Sequence, residues 1–130
     1  MRSSRGQALV EAALAVPFVI ALALGLLQVA LYYHARDVLT SAVQEGARLA
    51  AEDGRGLDDG FDRVRVLSAA GLGATIDAVE PSGTVDPDIV QLWVDTRMRP
   101  IIPLPIQDQL RIHVRAVAAR ERFRPGGSGT

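Results

Sequence analysis

The chain has 130 residues, 48% of them hydrophobic, and a formal net charge of −1. That length holds one modest domain at most, and the near-neutral balance offers no basic surface for a nucleic-acid partner. Cysteine is absent, which excludes a disulfide, a cysteine-based zinc site, an iron–sulfur cluster and a thiol nucleophile.

Near the N-terminus the chain reads Gly6-Gln7-Ala8-Leu9-Val10-Glu11, and an uncharged run of 22 residues, Ala12 to Tyr33, follows at once. As a helix this run rises about 33 Å, close to the ~30 Å thickness of a bilayer's hydrocarbon core. Arg2 and Arg5 precede it, Arg36 and Asp37 follow it, and Tyr32, Tyr33 and His34 stand where an interfacial aromatic belt stands. The positive-inside rule then places Arg2 and Arg5 in the cytoplasm and the remainder outside. A cleaved secretory signal is a poorer match, because its apolar region spans only about 7–15 residues and ends at small residues, not Tyr-Tyr-His-Ala-Arg. A soluble core helix rarely needs so long an apolar stretch. Glu11 stands out because a charge at the centre of a membrane helix costs roughly 2.5–3.5 kcal/mol, less near an end. It is either an interfacial residue that reaches the headgroups or a group with a dedicated partner.

Helical spacing continues past the run. Val38, Leu39, Ala42, Val43, Gly46, Ala47 and Ala50 share one face, and Asp37, Thr40, Ser41, Gln44, Glu45 and Arg48 fill the other. Glu45 and Arg48 are spaced to pair with each other. Asp53-Gly54-Arg55-Gly56 stops the helix, so one helix runs from about Gln7 to Glu52. Pro17 introduces a kink or a loosened turn, and Gly25 a soft or close-packing point. The small-residue stripe Ala42, Gly46, Ala47 and Ala50 needs something to pack against, and the C-terminal part is the nearest candidate.

Leu57 to Leu72 reads as a second helix, with Asp58 and Asp59 at its start, Phe61, Val64, Leu67, Ser68 and Leu72 on one face, and Gly71 and Gly73 at its end. Three strands are expected after it: Ala74–Glu80, Ile89–Arg99 and Leu110–Ala119. In the second, Val90, Leu92, Val94, Thr96 and Met98 alternate with Gln91, Trp93, Asp95, Arg97 and Arg99. In the third, Leu110, Ile112, Val114, Ala116 and Ala118 alternate with Arg111, His113 and Arg115. Such alternation marks a sheet buried on one face. Pro81-Ser82-Gly83 and the segment Pro100 to Asp108 read as turns. The fold class is therefore α+β: a long N-terminal transmembrane helix continuing as a stalk, a short helix, and a small three-stranded antiparallel meander.

Few residues suggest chemistry. Asp58, Asp59 and Asp62 lack the spacing of a calcium loop and suit a helix start better. His34 and His113 lie in different elements with no ligand cluster, and His113 reads as solvent-facing. No nucleophile motif or phosphate loop is present, so neither an enzyme nor a cofactor is indicated. Trp93, on the more polar strand face, is either local packing or a contact anchor. Pro100-Ile101-Ile102-Pro103-Leu104-Pro105-Ile106 is apolar for a loop; it either folds back on the stalk or offers Ile101, Ile102 and Leu104 as a subunit contact.

Glycine followed five residues later by glutamate, at the junction of a basic leader and an apolar helix, resembles the processing site of type IV prepilins. More specifically, Arg5-Gly6-Gln7-Ala8-Leu9-Val10-Glu11, then Pro17, then Glu45-Gly46-Ala47-Arg48, resembles the TadE-like family of minor pilins and pseudopilins of tight-adherence (Flp-type) pilus systems. The resemblance covers about the first 50 residues. It implies that a prepilin peptidase cuts after Gly6 and leaves Gln7 as the new N-terminus. It further implies that Glu11 faces the N-terminal ammonium of a neighbouring subunit, a pairing that neutralises both charges in a low-dielectric site. Ala12 departs from the aromatic residue that often follows this glutamate.

The implied layout is a cytoplasmic leader over 1–6, a long helix over 7–52 with a span of about 12–33, an extracytoplasmic module over 53–124 and a flexible tail over 125–130. The implied partners are membrane lipid, the prepilin peptidase, other pilin subunits and the inner-membrane assembly platform. The alternative is an unprocessed single-pass membrane protein whose extracytoplasmic domain binds a partner.

Overall fold

The computed structural model describes residues 4–102 and 110–120. Helix α1 spans Ser4–Ala51, 48 residues and so about 72 Å of rise. Its ends differ from the expected Gln7 and Glu52 by no more than helix termini usually vary. Gly54, at φ 77°, supplies the left-handed residue that turns the chain away.

Helix α2 spans Leu57–Leu72, with Gly56 as N-cap and Gly73 as C-cap. Of the two aspartates at its start, Asp59 does the capping: its Oδ2 accepts from the Gly56 backbone N–H at 3.1 Å. Gly60, Val64, Ser68 and Leu72 form its buried face, one residue per helical turn.

The two helices pack at their glycines. A Cβ on Gly46 would lie 2.5 Å from Val64 Cγ2 and 2.7 Å from the Gly60 carbonyl oxygen. A Cβ on Gly60 would in turn lie 2.7 Å from the Gly46 carbonyl oxygen and 2.9 Å from Ala50 Cβ. The small-residue stripe thus lets two backbones approach closely, and Ala42, Ala47 and Ala50 are buried beside it. Across this contact Glu45 pairs with Arg63 of α2 at 3.6 Å, not with Arg48 on its own helix as the local spacing suggested. Packing α2 against α1 brings a second guanidinium to Glu45, while Arg48 stays exposed.

A short 3-10 turn, Gly73–Thr75, leads into the sheet of β1 (Pro81–Val85), β2 (Ile89–Arg97) and β3 (Arg111–Ala119). The order is β1-β2-β3 and both pairings are antiparallel, with Pro81 opposite Val94 and Leu92 opposite Ala116. Val90, Leu92, Val94 and Thr96 of β2 and Ile112, Val114 and Ala116 of β3 turn inward. They meet Leu39, Val43 and Ala47 of α1 and Val64 of α2 in one hydrophobic cluster. Thr96 satisfies its hydroxyl by donating to the Asp77 carbonyl at 3.2 Å.

The first strand is not where the sequence suggested. Ala74–Glu80 contributes only an isolated bridge, Ile76 to Met98, and Pro81-Ser82-Gly83, expected as a turn, opens β1. The reason is position. Among the described residues β1 is an edge strand that pairs only with β2, and the first residue of an edge strand tolerates a proline that donates no ladder hydrogen bond. Gly83 also suits its place, because a Cβ there would lie 2.7 Å from the Gln91 carbonyl oxygen. The actual turn is Asp86-Pro87-Asp88, closed by the Asp86 N–H donating to the Ile89 carbonyl at 2.9 Å. The segment 103–109, with Leu104, and the tail from 121 onward lie outside the described residues.

Candidate functional site

The first half of α1 is bare. No residue from Arg5 to Leu27 is buried, and Leu14 and Phe18 are 73% and 72% exposed. Twenty residues, from Ala8 to Leu27, give about 30 Å of uncovered apolar helix, the thickness of a hydrocarbon core. The segment is long and apolar enough to cross a membrane.

Glu11 is the one formal charge on this surface. Its Oε1 accepts from Gln7 Nε2, one turn earlier, at 3.4 Å, and among the described residues no cation pairs with it. Gly6 and Gln7 lie in the first turns of α1, so the helix runs through the Gly6–Gln7 bond. Pro17 sits inside a helix that continues on both sides of it. Having no N–H, it leaves the Ala13 carbonyl without its usual donor. Beyond its own stretch of helix, no atom of the described residues lies within 4 Å of where a Gly25 Cβ would be. This is the reverse of Gly46, and it leaves a small notch on the bare surface.

Above Leu27 one face of the helix is covered. Gln28 is 7% exposed. Its Oε1 accepts the Ile101 N–H at 2.9 Å and its Nε2 lies 3.8 Å from Met98 Sδ. Tyr32 donates its hydroxyl to the Arg111 carbonyl at 3.2 Å. Sequence reasoning passed over Gln28, although a lone amide inside an apolar run is a visible signal of a specific partner.

The other expected contact residues lie apart from Glu11. Trp93 is half-buried on the outer face of the sheet, between Ser82 and Arg115 in register. On that face Arg115 donates to Gln91, and His113 Nδ1 lies 2.8 Å from Asp95 Oδ1, with Val117 exposed beside them. The apolar loop folds back on the stalk at Ile101, whose side chain stays exposed, with Ile102 half-buried.

Comparison with protein families finds a match to the TadE-like protein model over residues 6–48. Residues 6–48 form a TadE-like domain. The match starts at Gly6, takes in Glu11, Pro17, Gly25 and Gln28, and ends at Arg48, so that the TadE-like domain is nearly the whole of α1. Its final segment, Glu45-Gly46-Ala47-Arg48, is the part of α1 that receives α2: an ion pair from Glu45, a backbone contact at Gly46 and a buried Ala47. No curated protein and no solved structure matches the chain. The bare apolar half of the TadE-like domain is consistent with a single-pass membrane protein.

Proposed function

We propose that this protein is a minor pilin or pseudopilin of a Tad pilus, cut after Gly6 by a prepilin peptidase and assembled through the bare end of α1. The observation that carries this reading is Glu11: a carboxylate on an apolar helix surface, five residues after Gly6, with no cation beside it among the described residues. Such a group calls for an external cation, and the ammonium that cleavage creates on Gln7 of a neighbouring subunit is one. Gly6 assists cleavage physically. It favours the helix by about 1 kcal/mol less than alanine does, so the first turn unwinds readily for a peptidase.

In this arrangement Arg2 and Arg5 stay in the cytoplasm by the positive-inside rule, and α2 with the sheet stands outside. Lipid surrounds the bare helix before assembly; other pilin subunits and the inner-membrane platform replace it afterwards. Gly25 offers a notch for a neighbouring helix. Trp93 and the sheet face around it form a second contact with a subunit.

The test is the N-terminus of the native protein, read by mass spectrometry of membrane and sheared-surface fractions. A start at Gln7, lost in Gly6→Ala, supports processing. A chain that still carries residues 1–6, with a Gly6→Ala variant of unchanged size, refutes it and leaves the unprocessed single-pass protein. Glu11→Ala is expected to insert normally and fail to assemble. Normal assembly in that variant would remove the role given to Glu11.

A further inference from the structure

The way Gln28 holds the chain at Met98–Ile102 places a second apolar element beside the membrane helix. Both ends of the Gln28 amide are occupied within the chain, by the Ile101 N–H and by Met98 sulfur. The Ile101 amide is satisfied by the same contact. Backbone and amide groups at lipid depth require such internal satisfaction, because no water is there to supply it. Gln28 lies about 30 Å along α1 from Ala8, at the upper edge of the bare helix. Ile101, held at that level, is 49% exposed, and Leu27 and Val29 of α1 are exposed at the same height. Apolar side chains of the helix and of this segment are therefore exposed at one level. One turn above stand Tyr32 and Tyr33, ring edge to ring face at 5.8 Å, suited to a headgroup layer. Arg99, the one charge of the segment, pairs with Asp77 at 3.2 Å.

We infer that Ile101 and its neighbour Ile102 dip into the bilayer interface, a second membrane contact that fixes how the α2–sheet module sits on the lipid surface. This rests on the reading of α1 as a membrane span. It also moves that span from about 12–33 to about 8–27, since from Gln28 upward one face of the helix is engaged by the module. The occupant of the patch is lipid because Ile101 is held at the edge of the exposed apolar helix that is long enough to cross a membrane.

The chain has no cysteine, so single-cysteine labelling needs no background substitutions. Full-length protein carrying a polarity-sensitive fluorophore at Ile101→Cys, Val19→Cys or Val117→Cys is reconstituted into phosphatidylcholine–phosphatidylglycerol vesicles. Quenching is read with aqueous iodide and with lipids brominated near the headgroup. The inference expects Ile101 to emit to the blue of Val117, to lose most of its iodide quenching, and to be quenched by the brominated lipid. Val19 should be shielded from iodide and Val117 freely quenched by it. Iodide access at Ile101 with Val19 shielded overturns the second contact and leaves the span intact. Iodide access at Val19 overturns both. Shielding of Ile101 from iodide without quenching by brominated lipid means a protein, such as a second copy, covers the patch, and also overturns the inference. In Gln28→Leu the Ile101 label should regain iodide access while the Val117 signal stays unchanged; an unchanged Ile101 signal would overturn the role given to Gln28.

Discussion

Adding one methyl group at Gly46 tests the contact between the two helices. The new Cβ would stand 2.5 Å from Val64 Cγ2, 2.7 Å from the Gly60 carbonyl oxygen and 3.3 Å from Leu92 Cδ2. Neither of the nearest neighbours yields easily. Val64 is fully buried and, being β-branched in a helix, is held to essentially one rotamer. The Gly60 oxygen belongs to the α2 backbone, so it moves only if α2 moves. Overpacking of this kind costs about 1–3 kcal/mol, and two immovable neighbours favour the upper part of that range. Replacing glycine by alanine in a helix interior returns about 1 kcal/mol of backbone propensity. Gly46→Ala is therefore expected to destabilise the fold by about 1–2 kcal/mol. For a unit of this size that lowers the midpoint of thermal unfolding by roughly 5–15 °C. The assay is thermal unfolding of the full chain in detergent, followed through the single tryptophan, Trp93, on β2. A Gly46→Ala protein as stable as the parent, or more stable, would mean that helix propensity alone governs this position and would refute the close approach of α1 to α2.

Gly25 gives the contrasting case. With nothing within 4 Å of its Cβ position, Gly25→Ala should leave monomer stability within about 0.5 kcal/mol while weakening assembly measured by crosslinking of the membrane form. Loss of monomer stability would mean that Gly25 packs against another part of its own chain, and would refute the open notch. Ser68 buries a hydroxyl with no hydrogen-bond partner among the described residues. An unsatisfied buried group costs about 1–3 kcal/mol, so Ser68→Ala should stabilise by about 1 kcal/mol in chemical denaturation, and a loss of stability would show that the hydroxyl is paired. The Glu45–Arg63 pair, with both side chains 44% exposed, should show a coupling of about 0.2–1 kcal/mol in a double-mutant cycle. A value near zero, together with a larger coupling between Glu45 and Arg48, would return the pair to the arrangement that local spacing suggested.

Where local chemistry and tertiary environment agree, the sequence was legible. α2 has the bounds Leu57–Leu72 that its aspartates and glycines marked, and β2 and β3 follow the alternation of Val90-Leu92-Val94 and Ile112-Val114-Ala116. The small stripe on α1 was visible too, but not its partner, because nothing local names Gly60 as the residue opposite Gly46. The same blindness hid Arg63 from Glu45. β1 was misread because Pro81 and Gly83 carry turn chemistry, and only the sheet order shows that they sit on an edge where that chemistry is tolerated. Gln28 was overlooked because a long apolar run was read as facing lipid throughout, whereas one face of its upper end packs against the module. Of the candidate site, the offset from Gly6 to Glu11 is a pattern that sequence displays in full. What a fold adds is the bareness of the surface around it.

The continuity of α1 carries a mechanical consequence. The element that presents Glu11 and the element clamped by β2 and β3 are one helix, with no linker between them to absorb rotation. The azimuth at which Glu11 faces a neighbour is therefore locked to the azimuth of the sheet, as the bit of a key is locked to its bow. One alanine inserted near Leu22 would turn the whole upper module by about 100° and raise it by about 1.5 Å, while leaving every contact within that module intact. A fourth inserted residue would bring the phase back to within about 40° of the original. Any assembly that grips both ends of this helix would thus feel insertions by their remainder over a helical turn more than by their number.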